Sequence, residues 1–299
     1  MSGAGAAAGA PGGAHDGSAG GGGPAREPLL LIHGLGASRS VWDAVVPTLS
    51  FEREVIALDL PGFGAAPSLS DGVEPTALAM AEALREELRA RGIERAHVAG
   101  NSLGGWVGLE LGRLGVARSV TCLSPAGLWR EPIGPAKSPT REWARRLRPL
   151  VAVGLYIPQV RLKALSTFAA FPTHIPVAAG REMVLGWIDA DGYDGANKAM
   201  REHVFDPSTY PPASAVPVTI AWAEEDRLVG PPREECRPAG ARFLTMPHVG
   251  HVPMWDDPDL VVRVLLDGSN RPATPASDLS WSDRPLSSEA PEPDLGGTS

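Results

Sequence analysis

From residue 28 onward the chain repeats one pattern. A short apolar run ends at glycine, proline or a polar cluster, and a longer stretch with helical spacing follows. The short runs are "PLLLIHG", "EVIALDLPG", "RAHVAGNS", "SVTCLSPAG", "PVTIAWAEED" and "ARFLTMPHVG". They are apolar throughout rather than alternating, the signature of strands covered on both faces, so they predict six buried strands of a parallel sheet. In "EPTALAMAEALREELRARG", Leu78, Ala81, Leu84 and Leu88 form one apolar stripe, with Pro75 near its start and Gly92 just past its end. Strand, helix, strand in this order predicts an α/β fold with a mostly parallel, doubly wound sheet.

The alternation lapses once. From about Leu128 to Pro212 the chain is Pro-rich and helical in pattern, and strand-like sequence resumes at Val216. An insertion of this length between two strands, on the side where active-site loops lie, reads as a helical lid. Residues 1–25 are Gly/Ala-rich and 269–299 are rich in Pro, Ser, Asp and Glu. Neither segment can bury enough apolar surface to offset ordering, so both are expected to be disordered tails. The expected division is a tail at 1–25, a core at 26–128 and 213–268, a lid at 129–212 and a tail at 269–299.

Composition narrows the function classes. A net charge of −8 argues against a dedicated nucleic-acid binder, which carries a basic surface. The first 25 residues have neither a basic start nor a long apolar block, so they do not read as a secretory signal. No run is long and apolar enough to predict a membrane span. Cys122 and Cys236 are far apart and lack zinc-type spacing, so neither a disulfide framework nor a structural metal is expected. A cytoplasmic protein with a small-molecule substrate fits these features.

The candidate chemistry starts at "HVAGNSLGGWVG", residues 97–108. The G-x-S-x-G pentapeptide is a weak signal alone; its place after a buried strand matters more. There the chain must reverse sharply into a helix beginning near Leu103. Ser102 would sit at the apex with a strained positive φ, a cost of about 1–3 kcal/mol. Side chains at 100 and 104 would collide across so tight a turn, and Gly105 and Gly108 would let the helix lie close to the sheet. The hydroxyl then projects beyond the carboxyl end of the strand, where such sheets bind ligands. Free N–H groups and the positive dipole end of the helix suit a developing oxyanion. A serine so placed needs a carboxylate and then a histidine downstream. "TIAWAEEDRLVGPP" offers Glu224, Glu225 and Asp226, and "HVGHVPMWDDPDLV" offers His248 and His251.

Together these segments resemble the lid-bearing esterase and hydrolase group of the α/β-hydrolase fold family, from about Pro28 to Asp267, with no diagnostic match in the lid. The family pattern W-G-x-x-D-x-[LIV]-[LIV]-x-P falls on Trp222 to Pro231, with Ala223 in the glycine position, and implies Asp226 over Glu224 and Glu225. The pattern G-H-x-P-x-x-x-x-P falls on Gly250, His251, Pro253 and Pro258, and implies His251 over His248. "LLLIHGLGAS" resembles the strand-end H-G motif. By carry-over, the N–H groups of Leu35 and Leu103 form the oxyanion hole and His33 is structural. "DLPGFGAAPS" resembles the D-x-P-G-x-G-x-S loop with one extra residue before Pro67 and Ser68, and is expected to shape the pocket wall. Two strands usually precede the H-G strand in the family. Here only the Gly-rich tail does, so the first two are expected to be missing, leaving about six strands, unless the tail supplies a pairing.

The resemblance implies a serine hydrolase without metal or organic cofactor. His251 would take the Ser102 proton, Asp226 would hold the imidazole, and water would release an acyl-enzyme. "GLGASR" mimics a dinucleotide fingerprint, but Arg39 stands at its sixth position. Serine at the elbow argues against epoxide hydrolases and haloalkane dehalogenases, whose relatives use Asp there. Leu155, Tyr156, Phe168, Phe171 and Trp187 suit an apolar acyl or aromatic group, or packing within the lid. Arg141, Arg145, Arg146 and Arg148 suit an anionic substrate, a membrane surface or, in preference, a solvated helical face. A carboxylic ester leads as substrate. "GNSLGG" around Asn101 resembles the elbow of C–C bond hydrolases of aromatic ring degradation, which with a cofactor-free perhydrolase form the alternatives. A non-catalytic small-molecule receptor is the reading from another class.

Overall fold

The computed structural model describes residues 26–135 and 138–270. The tail expected at 1–25 and all but the first two residues of that expected at 269–299 lie outside the described residues. All six apolar runs form strands: β1 Pro28–Ile32, β2 Glu54–Leu58, β3 Ala96–Asn101, β4 Ala117–Leu123, β5 Val218–Ala223 and β6 Arg242–Met246. They pair in parallel in the order β2-β1-β3-β4-β5-β6. Successive residues point to opposite faces. Leu30, Ile32, Val98 and Ile220 enter one core, while Leu29, Leu31, Ala99 and Ala221 enter another. The inner strands β1, β3, β4 and β5 are covered on both faces, which is why they show no polar alternation, while the edge strands β2 and β6 keep exposed positions.

The helices α1 Val46–Leu49, α2 Ala77–Ala90 and α3 Leu103–Arg113 follow the first three strands. Thr76 caps α2, its hydroxyl accepting the Ala79 N–H at 3.1 Å. The buried face of α2 is Ala77, Met80, Ala81, Leu84 and Leu88. Leu78, expected on that face, is exposed; at about 100° per residue the line through 81, 84 and 88 passes through 77 instead.

Between β4 and β5 the chain makes five helices: α4 Pro139–Arg146, α5 Arg148–Gly154, α6 Pro158–Leu165, α7 Val177–Asp189 and α8 Tyr193–Glu202. No strand interrupts them among the described residues. This insertion has its own small core of Leu155, Leu165, Ala169, Ile175, Val184 and Ile188. Arg141, expected on a solvated face, is buried. Its guanidinium donates to the carbonyls of Trp187, Ile188 and Ala190 and pairs with Asp194 at 3.0 Å. The last carbonyls of a helix lack helical donors, and one guanidinium carries five N–H groups to meet them. Arg145 and Arg148 stay at the surface, paired with Asp191 and Asp189.

The final helix, α9 Pro258–Ser269, starts at Asp257, which accepts the Leu260 N–H at 2.8 Å. It runs one residue past the core boundary expected at 268. Among the described residues, no helix is long and apolar enough to cross a membrane.

The chain leaves β1 for β2 on one side and then crosses to β3 on the other. The crevice beyond the carboxyl ends of β1 and β3 is therefore the switch point where α/β sheets bind ligands. Ile32 ends β1 and Asn101 ends β3.

Removing the Arg141 guanidinium strands three buried carbonyls, whereas the exposed Arg145 pair sits in water. Arg141→Ala is expected to lower unfolding free energy in urea by about 3 kcal/mol and Arg145→Ala by about 0.5 kcal/mol or less.

Candidate active site

Ser102 lies between β3 and α3 with φ +55° and ψ −119°, as a serine at the apex of a sharp turn requires. Its N–H donates to Leu123 O at 3.0 Å, and its carbonyl accepts the N–H groups of Gly105, Trp106 and Ala126. These bonds hold a conformation that costs about 1–3 kcal/mol. The flanking glycines are needed for different reasons. A Cβ on Gly100 would overlap the Gly104 carbonyl, while one on Gly104 would overlap the carbonyls of Ile32 and His33 at the end of β1. The second clash is thus with a neighbouring strand and not across the turn. Gly105 lies against Pro125, and Gly108 against Val98 and Val120.

Of the downstream candidates, Asp226 and His251 come together. Asp226 Oδ2 lies 2.6 Å from His251 Nδ1, and Oδ1 accepts the N–H groups of Leu228 and Val229 at 2.8 and 3.0 Å. A carboxylate at Nδ1 keeps the proton on that nitrogen and leaves Nε2 as the acceptor. Burial pushes the Asp226 carboxyl up, but the hydrogen bond and charge of His251 and the two backbone N–H groups outweigh it, so it lies below the usual range. The Asn101 amide donates to Leu123 O at 3.1 Å and to His251 O at 2.8 Å, tying the histidine loop to the end of β3. Glu224, Glu225 and His248 lie outside this arrangement, exposed, with Glu224 accepting the His248 N–H.

A cavity of about 920 Å³ opens beyond the switch point, and Ser102, His251 and Leu35 all line it. No hydrogen bond joins Ser102 to His251 among the described residues. The Leu103 side chain is buried in the core. Its N–H, at the start of α3, and that of Leu35 donate to no other described residue. Phe168, Met183, Trp187 and Tyr193 of the insertion line it together with Trp129 and Trp222. Of the five apolar insertion residues expected to meet substrate, only Phe168 and Trp187 line it. Leu155 is buried in the insertion's own core, and Tyr156 and Phe171 are exposed.

Residues 29–264 match the model of the alpha/beta hydrolase family. The chain belongs to this family. It is 29% identical over 210 residues to epoxide hydrolase EphH of Mycobacterium tuberculosis, covering 62% of this chain and 91% of that protein. Among solved structures it resembles a thermophilic esterase from Thermogutta terrifontis, with a TM-score of 0.61 and 22% identity, covering 84% of this chain and 92% of that one. It also resembles the 2-hydroxy-6-oxo-6-phenylhexa-2,4-dienoate hydrolase of Rhodococcus sp. strain RHA1, with a TM-score of 0.62 and 19% identity, covering 82% and 91%.

In this α/β hydrolase two further residues brace the site. His33 is fully buried; its Nδ1–H donates to Gly34 O at 2.8 Å and its Nε2 accepts the Leu60 N–H at 2.9 Å. The acceptor role of Nε2 requires a neutral ring, and burial pushes its pKa down to about 4. The D-x-P-G loop, expected at the pocket wall, does not line the cavity. It braces the insertion instead: Gly62 O accepts the Gly192 N–H at 3.0 Å. Asp256 was not signalled by the motifs. It is buried and accepts three backbone N–H groups, those of Gly250, Ala170 and Phe171, at 2.8, 2.9 and 2.7 Å. It thereby fastens the loop carrying His251 to the insertion. Its one trace in the sequence is an acid directly after the apolar run "VPMW", a position where a carboxylate needs donors.

Asp256→Ala is expected to lower unfolding free energy in urea by about 3 kcal/mol, because three buried N–H groups lose their acceptor. Asp256→Asn keeps one acceptor oxygen and should cost less.

His33 predicts the acid limb of stability. Unfolded, the ring takes a proton near pH 6.5; folded, it does so only near 4. Between these values the unfolded state binds more protons, so stability falls as pH falls, by about 1.4 kcal/mol per unit from this group, and its contribution levels off below. His33→Gln retains a donor and an acceptor without titrating, and urea titrations at pH 6.5, 5.5 and 4.5 should show that slope reduced.

Proposed function

We propose that this α/β hydrolase cleaves a carboxylic ester of a small, partly apolar substrate by acyl transfer through Ser102, His251 and Asp226. The observation that carries the reading is the 2.6 Å contact between Asp226 and His251 Nδ1, in a ring that shares its cavity with a serine held at positive φ. His251 Nε2 takes the proton as Ser102 Oγ attacks the acyl carbon, and Asp226 stabilises the imidazolium. The N–H groups of Leu35 and Leu103 receive the oxyanion. His251 then protonates the leaving alcohol, and water attacks the acyl-enzyme along the reverse path.

The nucleophile favours acyl carbon over the epoxide named for EphH. Attack by Ser102 on an epoxide carbon leaves an alkyl ether, which water does not readily hydrolyse; attack on an acyl carbon leaves an ester, which it does. The aromatic and thioether wall suits an apolar acyl or alcohol part. Arg130, Arg201 and Arg233 line the cavity, with Glu235 alone shared between Arg130 and Arg233 at 3.5 and 4.0 Å, a positive balance that suits a product carboxylate. The Asn101 amide is committed to two backbone carbonyls, so its presence at the elbow is accounted for without C–C bond chemistry. The two free, buried cysteines suit the reducing cytoplasm.

Fluorophosphonate labelling read by intact mass is expected to give one adduct on the wild type and none on Ser102→Ala. Hydrolysis of p-nitrophenyl acetate should fall by about 10³-fold or more in Ser102→Ala, His251→Ala and Asp226→Asn. A folded wild type that neither labels nor turns over, yet retains a small ligand, would assign the cavity to a binding protein.

A further inference from the structure

The outer face of the insertion does not behave as a solvated surface. Of the fourteen large apolar residues exposed in the described chain, seven lie between 143 and 160, among them Trp143, Leu147, Leu150, Val153, Tyr156 and Ile157. Helix α5 buries none of its residues. Leu147, Leu150, Val153 and Ile157 follow one another at spacings of three, three and four, which on a helical path is a single stripe. Leu150 and Val153 are 69% and 68% exposed. Apolar patches of this kind are uncommon on soluble proteins and mark interaction surfaces.

The charges beside the stripe run against the rest of the chain. Arg146, Lys163 and Arg181 have no carboxylate within 4 Å among the described residues, while Arg145 and Arg148 are paired with Asp191 and Asp189. Glu142 is the one acid between Pro139 and Leu165. The Arg181 guanidinium lies 3.6 Å over the Tyr156 ring, and that of Arg146 5.4 Å from the Trp143 ring. Arg181 also donates to the Ala152 carbonyl at 2.5 Å. In a chain of net charge −8, this is a local gathering of cations without carboxylate partners, Trp, Tyr and aliphatic side chains, the combination that settles at a lipid headgroup boundary.

We propose that the outer face of α4–α6 docks on an anionic lipid surface, with the apolar stripe in the acyl boundary and Arg146, Lys163 and Arg181 at the headgroups. An isologous dimer through the same patch would bring two sets of unpaired cations together, whereas anionic headgroups neutralise them. Thr140 of α4 and Ala164 of α6, the helices before and after α5, line the cavity, so docking sets the cavity close to the apolar phase. The inference rests on this surface and not on the proposed chemistry.

Co-sedimentation of the full chain with phosphatidylglycerol/phosphatidylcholine vesicles tests it. Binding is expected to weaken about tenfold or more on pure phosphatidylcholine and in high salt. It should weaken about tenfold or more in Leu150→Glu/Val153→Glu, which removes apolar burial and adds like charge, and also in Arg146→Glu/Lys163→Glu. Circular dichroism and soluble-ester turnover of Leu150→Glu/Val153→Glu should match the wild type. Three results would overturn the proposal: wild type that sediments with neither vesicle, Leu150→Glu/Val153→Glu that sediments as wild type does, or a dimer by light scattering that Leu150→Glu dissociates. The last would assign the face to a second copy of the chain.

Discussion

Where α3 leaves β3, backbone meets backbone with no side chain between. Gly100 faces the Gly104 carbonyl, and Gly104 faces the carbonyls that end β1. A single Cβ at either position would push α3 away from the sheet. The close approach sets Ser102 beside the β1 loop, so that its Cβ lies 3.1 Å from the place a Cβ on Gly34 would occupy. The strain at Ser102 is held by the partners of its own N–H and carbonyl. Every other group at the site takes its position relative to this turn.

The polar residues around the turn share one logic. Each has its polar atoms buried, and each ties one loop of the site to another. His33 joins the β1 loop to the β2 loop, Asn101 joins β3 to the loop of His251, and Asp256 joins that loop to the insertion. Asp226 gives one oxygen to its own turn and the other to His251. A buried polar group left without partners costs about 1–3 kcal/mol, so each of these side chains strongly favours one arrangement of loops. The cavity is therefore bounded by loops cross-tied to one another.

The insertion is held at its base and bare at its top. Arg141 closes the carbonyl end of α7, Gly62 holds Gly192, and Phe168 O accepts the Val252 N–H. Its inner residues supply about half of the cavity wall, while the outer stripe on and beside α5 is exposed among the described residues. Helix α5 packs against α7, whose Met183, Val184 and Trp187 line the cavity, and this helix pair links the surface the insertion presents to the ligand space it encloses.

The six strands, the sheet type and the turn at Ser102 were legible in the chain because their causes are local. Burial on both faces removes polar residues from a strand, and a strained turn between strand and helix demands glycines at fixed offsets. The order serine, acid, histidine with its flanking motifs singled out Asp226 and His251, and these two meet. Folding decided the remainder. Arg141 reads like its exposed neighbours Arg145 and Arg148, yet it alone meets the end of a helix that starts 36 residues later. Asp256 and Asp257 are adjacent acids, but one caps its own helix while the other binds amides 85 and 86 residues away. The D-x-P-G loop braces the insertion instead of lining the cavity, and Leu155 and Tyr156, neighbours in sequence, part to core and surface. Contacts between segments so distant leave no period or spacing in the chain, so only the packed structure could assign them.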